Sequence, residues 1–190
     1  MIIKRTAVIN DISCVGKCSL TVTIPILSSI GIEVCPLPTA VLSTHTEFPN
    51  PTFRDLSDDI VEIVKHWHSL NVKFDTVYSG YLAGKEQIDQ VISIMKSMSS
   101  AKIRLVDPIM GDNGKLYSKF SADFPQHMLR LCQCADIIVP NVTEACAMCS
   151  IPYHDGIYTC SERLRCQNSL QYLRYNEIRL ISLRADEAVP

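Results

Sequence analysis

The chain has 190 residues, of which 47% are hydrophobic and 20% are charged, a composition typical of one globular domain with a substantial core. Its formal net charge of −2, without a basic run, argues against nucleic acid or an anionic membrane as partner, so we expect a small-molecule ligand. Neither a signal-peptide pattern nor an apolar run of membrane-spanning length is present, and we therefore predict a cytoplasmic location.

The first half of the chain alternates apolar strands with amphipathic helices. A buried strand is predicted at residues 6–10, a turn at 11–16, and a helix at 17–30 that is kinked at Pro25 and ends at Gly31. The further elements predicted here are proline-interrupted strands at 33–37 and 39–42, which favour a sheet edge or a bend, a loop at 43–54, a helix at 55–70, a strand at 74–78 and a helix at 85–98.

The second half continues the alternation. The elements predicted there are a strand at 103–106, helices at 122–134 and 145–149, a strand at 136–139, a further helix at 161–175 and a last strand at 178–183. Strands that alternate with helices of this length predict an α/β fold, an open and mainly parallel sheet with helices on both faces. We expect a single domain over residues 1–190.

Polar segments follow four of the predicted strands, after Asn10, Tyr78, Val106 and Val139. In open parallel sheets, ligands bind outside the carboxyl ends of the strands. The four polar segments therefore predict a small-molecule site along one rim of the sheet.

The segment after Val106 places two carboxylates, Asp107 and Asp112, on either side of a glycine-bearing turn, an arrangement suited to hydrated Mg²⁺ with phosphates. An ordinary loop with solvated acids is the alternative. Asn141 and Glu144 stand three apart at a strand-to-helix junction, where a helix amino terminus favours an anion. The alternative is that Thr143 or Asn141 is a helix cap and Glu144 is a first-turn acid, and both interpretations can hold together.

Other common motifs are excluded or unsupported. Gly16 is followed by a lysine, but the glycine that a Walker loop needs five residues earlier is Asp11, and no G-x-G-x-x-G or G-x-S-x-G is present. His66 and His68, two apart on a helix, point to different faces. The nine cysteines include the group Cys132, Cys134, Cys146 and Cys149, but an apolar strand separates its two pairs, which favours reduced core thiols over a zinc site.

Five segments resemble the pyridoxal/pyridoxamine kinases of the ribokinase-like superfamily, in the same order and over residues 6–159. They are I-N-D-I-S-C-V-G-K-C-S-L-T, C-P-L-P-T-A-V-L-S-T-H-T, Y-S-G-Y-L, V-D-P-I-M-G-D-N-G-K-L-Y and D-I-I-V-P-N-V-T-E-A. The resemblance implies phosphorylation of the hydroxymethyl group of pyridoxal, pyridoxine or pyridoxamine with ATP and Mg²⁺, with a monovalent cation as a further option, usually by a homodimer.

The resemblance also implies roles for individual residues. Asp11, Thr46 and Tyr81 would contact the pyridine substrate. Asp107 and Glu144 would serve the metal. The nucleotide and its phosphates would be contacted by Asp112, Tyr117, Asn141 and Ser182.

Two departures from the family pattern leave alternatives open. The family carries a G-T-G-D motif whose Asp is the catalytic base; the seven glycines here include no such motif, so the base is unknown and we expect the C-terminal catalytic and adenine-binding portion to be missing. Glu47-Phe48-Pro49 also follows Thr46 where relatives generally have glycine. A non-catalytic module that binds a pyridine ligand or a partner, and a hydroxymethylpyrimidine kinase, are the alternatives; the C-P-L-P-T-A-V-L-S-T-H-T segment favours the pyridoxal type over the second.

Overall fold

The computed structural model describes residues 3–46, 48–154, 156 and 179–180. By its internal contacts the chain divides into two compact units, Met1–Arg104 and Leu105–Pro190. None of the helices in the described part of the chain combines the length and the hydropathy needed to cross a membrane.

The first unit contains four strands and three helices. They are β1 (Lys4–Val15), α1 (Leu20–Ser29), β2 (Ile32–Thr44), β3 (Phe53–Asp55), α2 (Ser57–Ser69), β4 (Thr76–Ser79) and α3 (Lys85–Ser97). The strand order is β3-β2-β1-β4; β1 runs parallel to both β2 and β4, and only β3 is antiparallel to its neighbour.

The core of this unit follows the predicted periodicities. Ile9, Leu37 and Val77 on the three parallel strands are fully buried. Helix α3 buries residues spaced three and four apart, including Ile88 and Met95, as expected for an amphipathic helix. Helix α1 packs on β1 and β2, and α2 packs on β2 and against α3.

Three predictions in this unit are wrong. The loop predicted at 43–54 includes the end of β2 and the start of β3. Residues 11–16 were predicted to form a turn, but β1 continues through Asp11 to Val15, with an irregular register between Asn10 and Ile12. The cause is tertiary: this extension pairs with the apolar end of β2, and Val15 lies opposite Thr44. The strands predicted at 33–37 and 39–42 are one continuous strand, because β3 pairs only with Ala40–Leu42 and thus leaves the proline-bearing half of β2 without a partner on that side among the described residues.

The second unit contains a short parallel sheet, a hairpin and two helices. They are β5 (Ile103–Val106), which begins just before the unit, β6 (Gly111–Asp112), β7 (Lys115–Leu116), α4 (Phe124–Cys132), β8 (Ile137–Ile138), α5 (Val142–Cys149) and β9 (Arg179–Leu180). Strand β8 pairs in parallel with β5 and with β9, and β6 pairs antiparallel with β7. The predicted α/β class with a mainly parallel sheet is confirmed.

Two predicted elements fall wholly or partly outside the described residues. The helix expected at residues 161–175 lies outside them, and so does Ser182. Of the strand expected at 178–183, the part described is β9.

Candidate functional site

In the first unit, the end of β4 meets the middle of β1, at the residue where the sequence predicted β1 to end. The Tyr81 backbone N–H donates to the Asn10 side-chain oxygen Oδ1 over 2.9 Å, and the Asp11 N–H donates to the same atom over 3.0 Å. A side chain at Gly80 would collide with the Asn10 amide, so this close approach requires glycine. Sequence motifs alone placed Tyr81 in the site, but gave no sign of the part played by Asn10.

Two of the predicted substrate contacts, Asp11 and Tyr81, influence each other electrostatically. Asp11 is 4% exposed, and one of its carboxylate oxygens accepts a hydrogen bond of 3.1 Å from the Ser13 hydroxyl. Burial, helped by the charges of Asp11 and Asp55, raises the pKa of Tyr81 to about 12. The phenol is neutral near pH 7, as any tyrosine is, and the shift keeps it protonated between about pH 10 and 12, where an ordinary tyrosine ionises.

The third predicted substrate contact, Thr46, lies two residues beyond β2 and is exposed. Its neighbour His45 packs against the backbone of Gly16, which has a φ of 94° and leaves no room for a side chain. The His45 ring also meets Phe48 edge to face, with ring centroids 4.7 Å apart. The Phe48 that departs from the family pattern thus holds the loop around Thr46 against the end of β1.

In the second unit, β6 and β7 form a two-residue hairpin around Asn113 and Gly114, whose φ angles are 50° and 73°. Asn-Gly with two positive φ values is the preferred sequence for such a turn. The Gly114 N–H donates to the Thr143 hydroxyl over 2.9 Å, which ties the hairpin to the first turn of α5. The hairpin was predicted only as a polar turn.

Helix α5 begins with a capping box formed by Asn141 and Glu144. The Glu144 N–H donates to Asn141 Oδ1 over 2.8 Å, and the Asn141 N–H donates to the Glu144 carboxylate over 2.7 Å. The other carboxylate oxygen of Glu144 accepts from the Met110 N–H over 3.2 Å. The helix therefore starts earlier than the predicted residue 145, and the capping interpretation of this pair is confirmed.

The cap is also joined to the hairpin. The Asn141 side-chain NH₂ donates to the Gly111 carbonyl and to the Asp112 carboxylate, each over 2.8 Å. The other Asp112 oxygen accepts from the Tyr117 hydroxyl over 3.0 Å. Four of the predicted nucleotide, phosphate and metal residues thus form one network, which we call the α5 network: Asp112, Tyr117, Asn141 and Glu144.

The remaining predicted metal residue, Asp107, follows β5 and is 6% exposed. Burial, with added repulsion from the Glu144 and Asp107 carboxylates, raises the pKa of the Cys132 thiol far above its ordinary value. Both carboxylates therefore lie near this thiol, which is neutral and donates to the Met148 sulfur. Within the described ranges, no group of three or more His, Cys, Asp or Glu side chains is arranged to hold a metal ion by itself.

No family model matches the chain. Among curated proteins the chain is similar to a pyridoxal kinase from Vibrio vulnificus, with 29% identity over 150 residues, covering 73% of this chain and 51% of the relative. The chain spans about half the length of the curated relatives it matches.

Solved structures resemble the chain over nearly all of its length. A Bacteroides thetaiotaomicron protein, provisionally named a phosphomethylpyrimidine kinase and crystallised with pyridoxal, has a TM-score of 0.88 and 38% identity, covering 96% of this chain and 64% of its own. Pyridoxal kinase from Lactobacillus plantarum has a TM-score of 0.85 and 29% identity, covering 95% and 64%. A Leishmania donovani pyridoxal kinase in complex with ADP shares the fold at 19% identity and a TM-score of 0.79, covering 89% and 58%. The predicted ribokinase-like fold and the resemblance to pyridoxal kinases are confirmed.

Proposed function

Since this chain resembles the pyridoxal kinases in sequence and has their ribokinase-like fold, we propose that it serves the ATP-dependent phosphorylation of the hydroxymethyl group of pyridoxal, pyridoxine or pyridoxamine. The observation that carries the proposal is the α5 network. It joins four residues that the family resemblance assigns to nucleotide, phosphate and metal, around a helix amino terminus.

On the substrate side, we assign Asp11, Tyr81 and Thr46 to the pyridine ligand. Asp11 offers a buried carboxylate acceptor, and Tyr81 offers a phenol hydroxyl that can donate. A pyridine ring that carries a hydroxyl group needs both an acceptor and a donor. The exposed Thr46 would contribute a hydroxyl from the loop held by His45 and Phe48.

On the phosphate side, Asp107 and Glu144 would hold Mg²⁺, and Asp112, Tyr117 and Asn141 would orient the nucleotide phosphates. The residues fit such an ion, because Mg²⁺ is usually held by one or two carboxylates, with water and substrate phosphates completing its coordination. Bound Mg²⁺ would supply charge neutralisation at the phosphate oxygens. The residue that accepts the proton of the substrate hydroxyl is left unassigned.

Binding of pyridoxal to the 190-residue chain, followed by calorimetry, tests the substrate side directly. We expect measurable affinity in the wild-type chain and a loss of about tenfold or more in Asp11→Ala, since a charged hydrogen bond contributes about 1.5–3 kcal/mol. Asp58→Ala is the matched control, because Asp58 is an exposed carboxylate in the first turn of α2. Equal affinity in the two variants would contradict the role of Asp11.

Turnover is measured separately, with ATP, Mg²⁺ and pyridoxal and with the product followed by absorbance. Turnover that requires Asp112 supports the kinase proposal in full. Pyridoxal binding without turnover would instead favour the non-catalytic pyridine-binding module, since no G-T-G-D base stands in this sequence. No binding and no turnover would refute both.

Hydroxymethylpyrimidine is the second candidate substrate. It is related to the phosphomethylpyrimidine in the provisional name of the Bacteroides thetaiotaomicron protein. Competition decides between the two ligands. Labelled pyridoxal is bound first, and unlabelled pyridoxal and hydroxymethylpyrimidine are then compared as competitors. If hydroxymethylpyrimidine displaces the label at the lower concentration, the pyrimidine is the preferred ligand. A homodimer and a cytoplasmic location remain predictions from the sequence; sedimentation of the purified protein tests the first.

A further inference from the structure

The Tyr81 backbone is held on both of its hydrogen-bonding sides by buried side chains. Asn10, 1% exposed, accepts from the Tyr81 N–H over 2.9 Å. The Thr39 hydroxyl, fully buried, donates to the Tyr81 carbonyl over 3.1 Å. Both backbone hydrogen-bonding groups of Tyr81 are therefore satisfied by side chains from other strands.

A third side chain, Gln87 on α3, fixes this arrangement. Its Nε2 donates to the Thr39 carbonyl and its Oε1 accepts from the Ala83 N–H, each over 2.8 Å. Gln87 is 1% exposed and also donates to the Ser57 hydroxyl at the start of α2 over 3.0 Å. These hydrogen bonds therefore connect β1, β2 and α3 to the segment that carries Tyr81.

We propose that Asn10, Thr39 and Gln87 are positioning residues that fix Tyr81 for contact with the pyridine substrate, a set we call the Tyr81 clamp. The inference rests on the proposed function, because it gives a purpose to holding Tyr81. The clamp bonds to the main chain of Tyr81 and Ala83, so its members would set substrate affinity through Tyr81 without needing to touch the ligand. Side chains that lock a binding group in place raise affinity by lowering the entropy cost of binding.

The test uses two pairs of matched variants of the full chain. Thr39→Val removes the hydroxyl at nearly constant volume, whereas Thr39→Ser keeps it. Gln87→Met removes the hydrogen bonds of the side-chain amide to Thr39, Ala83 and Ser57. Gln90→Met changes the same residue type one turn later on α3, where the Gln90 oxygen makes no hydrogen bond within the described structure. Circular dichroism melting first establishes which variants are folded.

The decisive readout is the ionisation of Tyr81, observed by NMR of ring-labelled tyrosine and assigned with Tyr81→Phe. In the wild-type chain the pKa of about 12 keeps this phenol protonated at roughly pH 10.5. We expect Thr39→Val and Gln87→Met to release Tyr81 from its buried position, so that it ionises at this pH, and to weaken pyridoxal binding about tenfold. Thr39→Ser and Gln90→Met should match the wild type in both measurements.

The outcomes separate this inference from the function it rests on. If Tyr81 stays protonated in Thr39→Val and Gln87→Met, the clamp does not position it and the inference is overturned; if one of these variants does not fold, the other decides. If Tyr81 ionises in these variants but the wild-type chain has no affinity for pyridoxal, the clamp is supported and the proposed function is refuted. Ionisation with unchanged pyridoxal affinity would overturn the claim that the clamp serves binding.

Discussion

Replacing Asn141 with alanine tests whether the α5 network holds the second unit together. The change removes one acceptor, which caps α5, and two donors, which reach the Gly111 carbonyl and the Asp112 carboxylate. Asn141 is 7% exposed, so water does not readily replace these bonds.

The magnitude follows from the three bonds that are lost. Loss of a helix N-cap costs about 1 kcal/mol. Each donor bond to the hairpin adds about 1 kcal/mol, so the free energy of unfolding should fall by about 3 kcal/mol. In a chain of this size that corresponds to a melting temperature lower by about 6 to 12 °C.

The assay is thermal and urea unfolding followed by circular dichroism, with Asn141→Asp as the companion variant. Asp caps a helix as well as Asn does, so this variant keeps the cap and loses the two donors, and it places a second carboxylate next to Asp112. We expect it to lose about 2 kcal/mol from the donors alone. An Asn141→Ala chain that loses less than about 1 kcal/mol would refute the stabilising role of the network, and an Asn141→Asp chain as stable as wild type would refute the anchoring of the hairpin.

Three further predictions concern single groups. Asp107→Asn should weaken binding of Mg²⁺ with ATP more than binding of pyridoxal in calorimetric titrations, and an equal loss of both would count against its metal role. Gly16→Ala should lower thermal stability and pyridoxal affinity together, because the methyl group collides with His45 and the φ of 94° is strained for alanine; a variant with wild-type melting would contradict the packing. The pKa of Tyr81, about 12 in the folded chain against about 10 unfolded, means that the folded state binds this proton more tightly. The stability it contributes, of order 2 to 3 kcal/mol, is complete below pH 10 and should be lost between about pH 10 and 12; Tyr81→Phe should abolish that part of the pH dependence in urea titrations.

Local patterns in the sequence were sufficient for the parts of the site that depend on neighbouring residues. The pairing of Asn141 with Glu144 as a cap could be predicted because the two residues are three apart and interact within one helical turn. Strand β5 was predicted at its observed bounds, since a short apolar run followed by Asp-Pro gives both the strand and its end. The strand-end rule placed the segments after Asn10 and Tyr78 on one rim; the segment after Tyr78 does contact Asn10, but β1 continues past Asn10 to Val15.

Contacts between distant parts of the chain could not be predicted in this way. Thr39 is 42 positions from its partner Tyr81, and Gln87 is 48 positions from its partner Thr39. The residues next to a buried Thr or Gln do not indicate which distant group it will bond. The extension of β1 to Val15 was not predicted for the same reason. Its polar residues locally favour a turn, and only the pairing with β2 makes them a strand. Tertiary pairing overrode local propensity in these cases.

The sequence also left open whether Glu144 is a first-turn acid at a helix cap or a metal residue, and its hydrogen bonds are compatible with the metal role that we propose. A carboxylate has about four lone-pair positions. Two backbone N–H groups, those of Asn141 and Met110, each occupy one position and fix the orientation of Glu144. Bonds from neutral N–H groups leave the negative charge in place, so a carboxylate that is already immobilised can still attract a hydrated cation. Capping thus provides the rigid support that a metal site needs. Glu144→Gln keeps one oxygen for the capping box but loses the bond from the Met110 N–H, so it should lower the free energy of unfolding by about 1 kcal/mol and lower Mg²⁺-dependent nucleotide affinity by a larger amount.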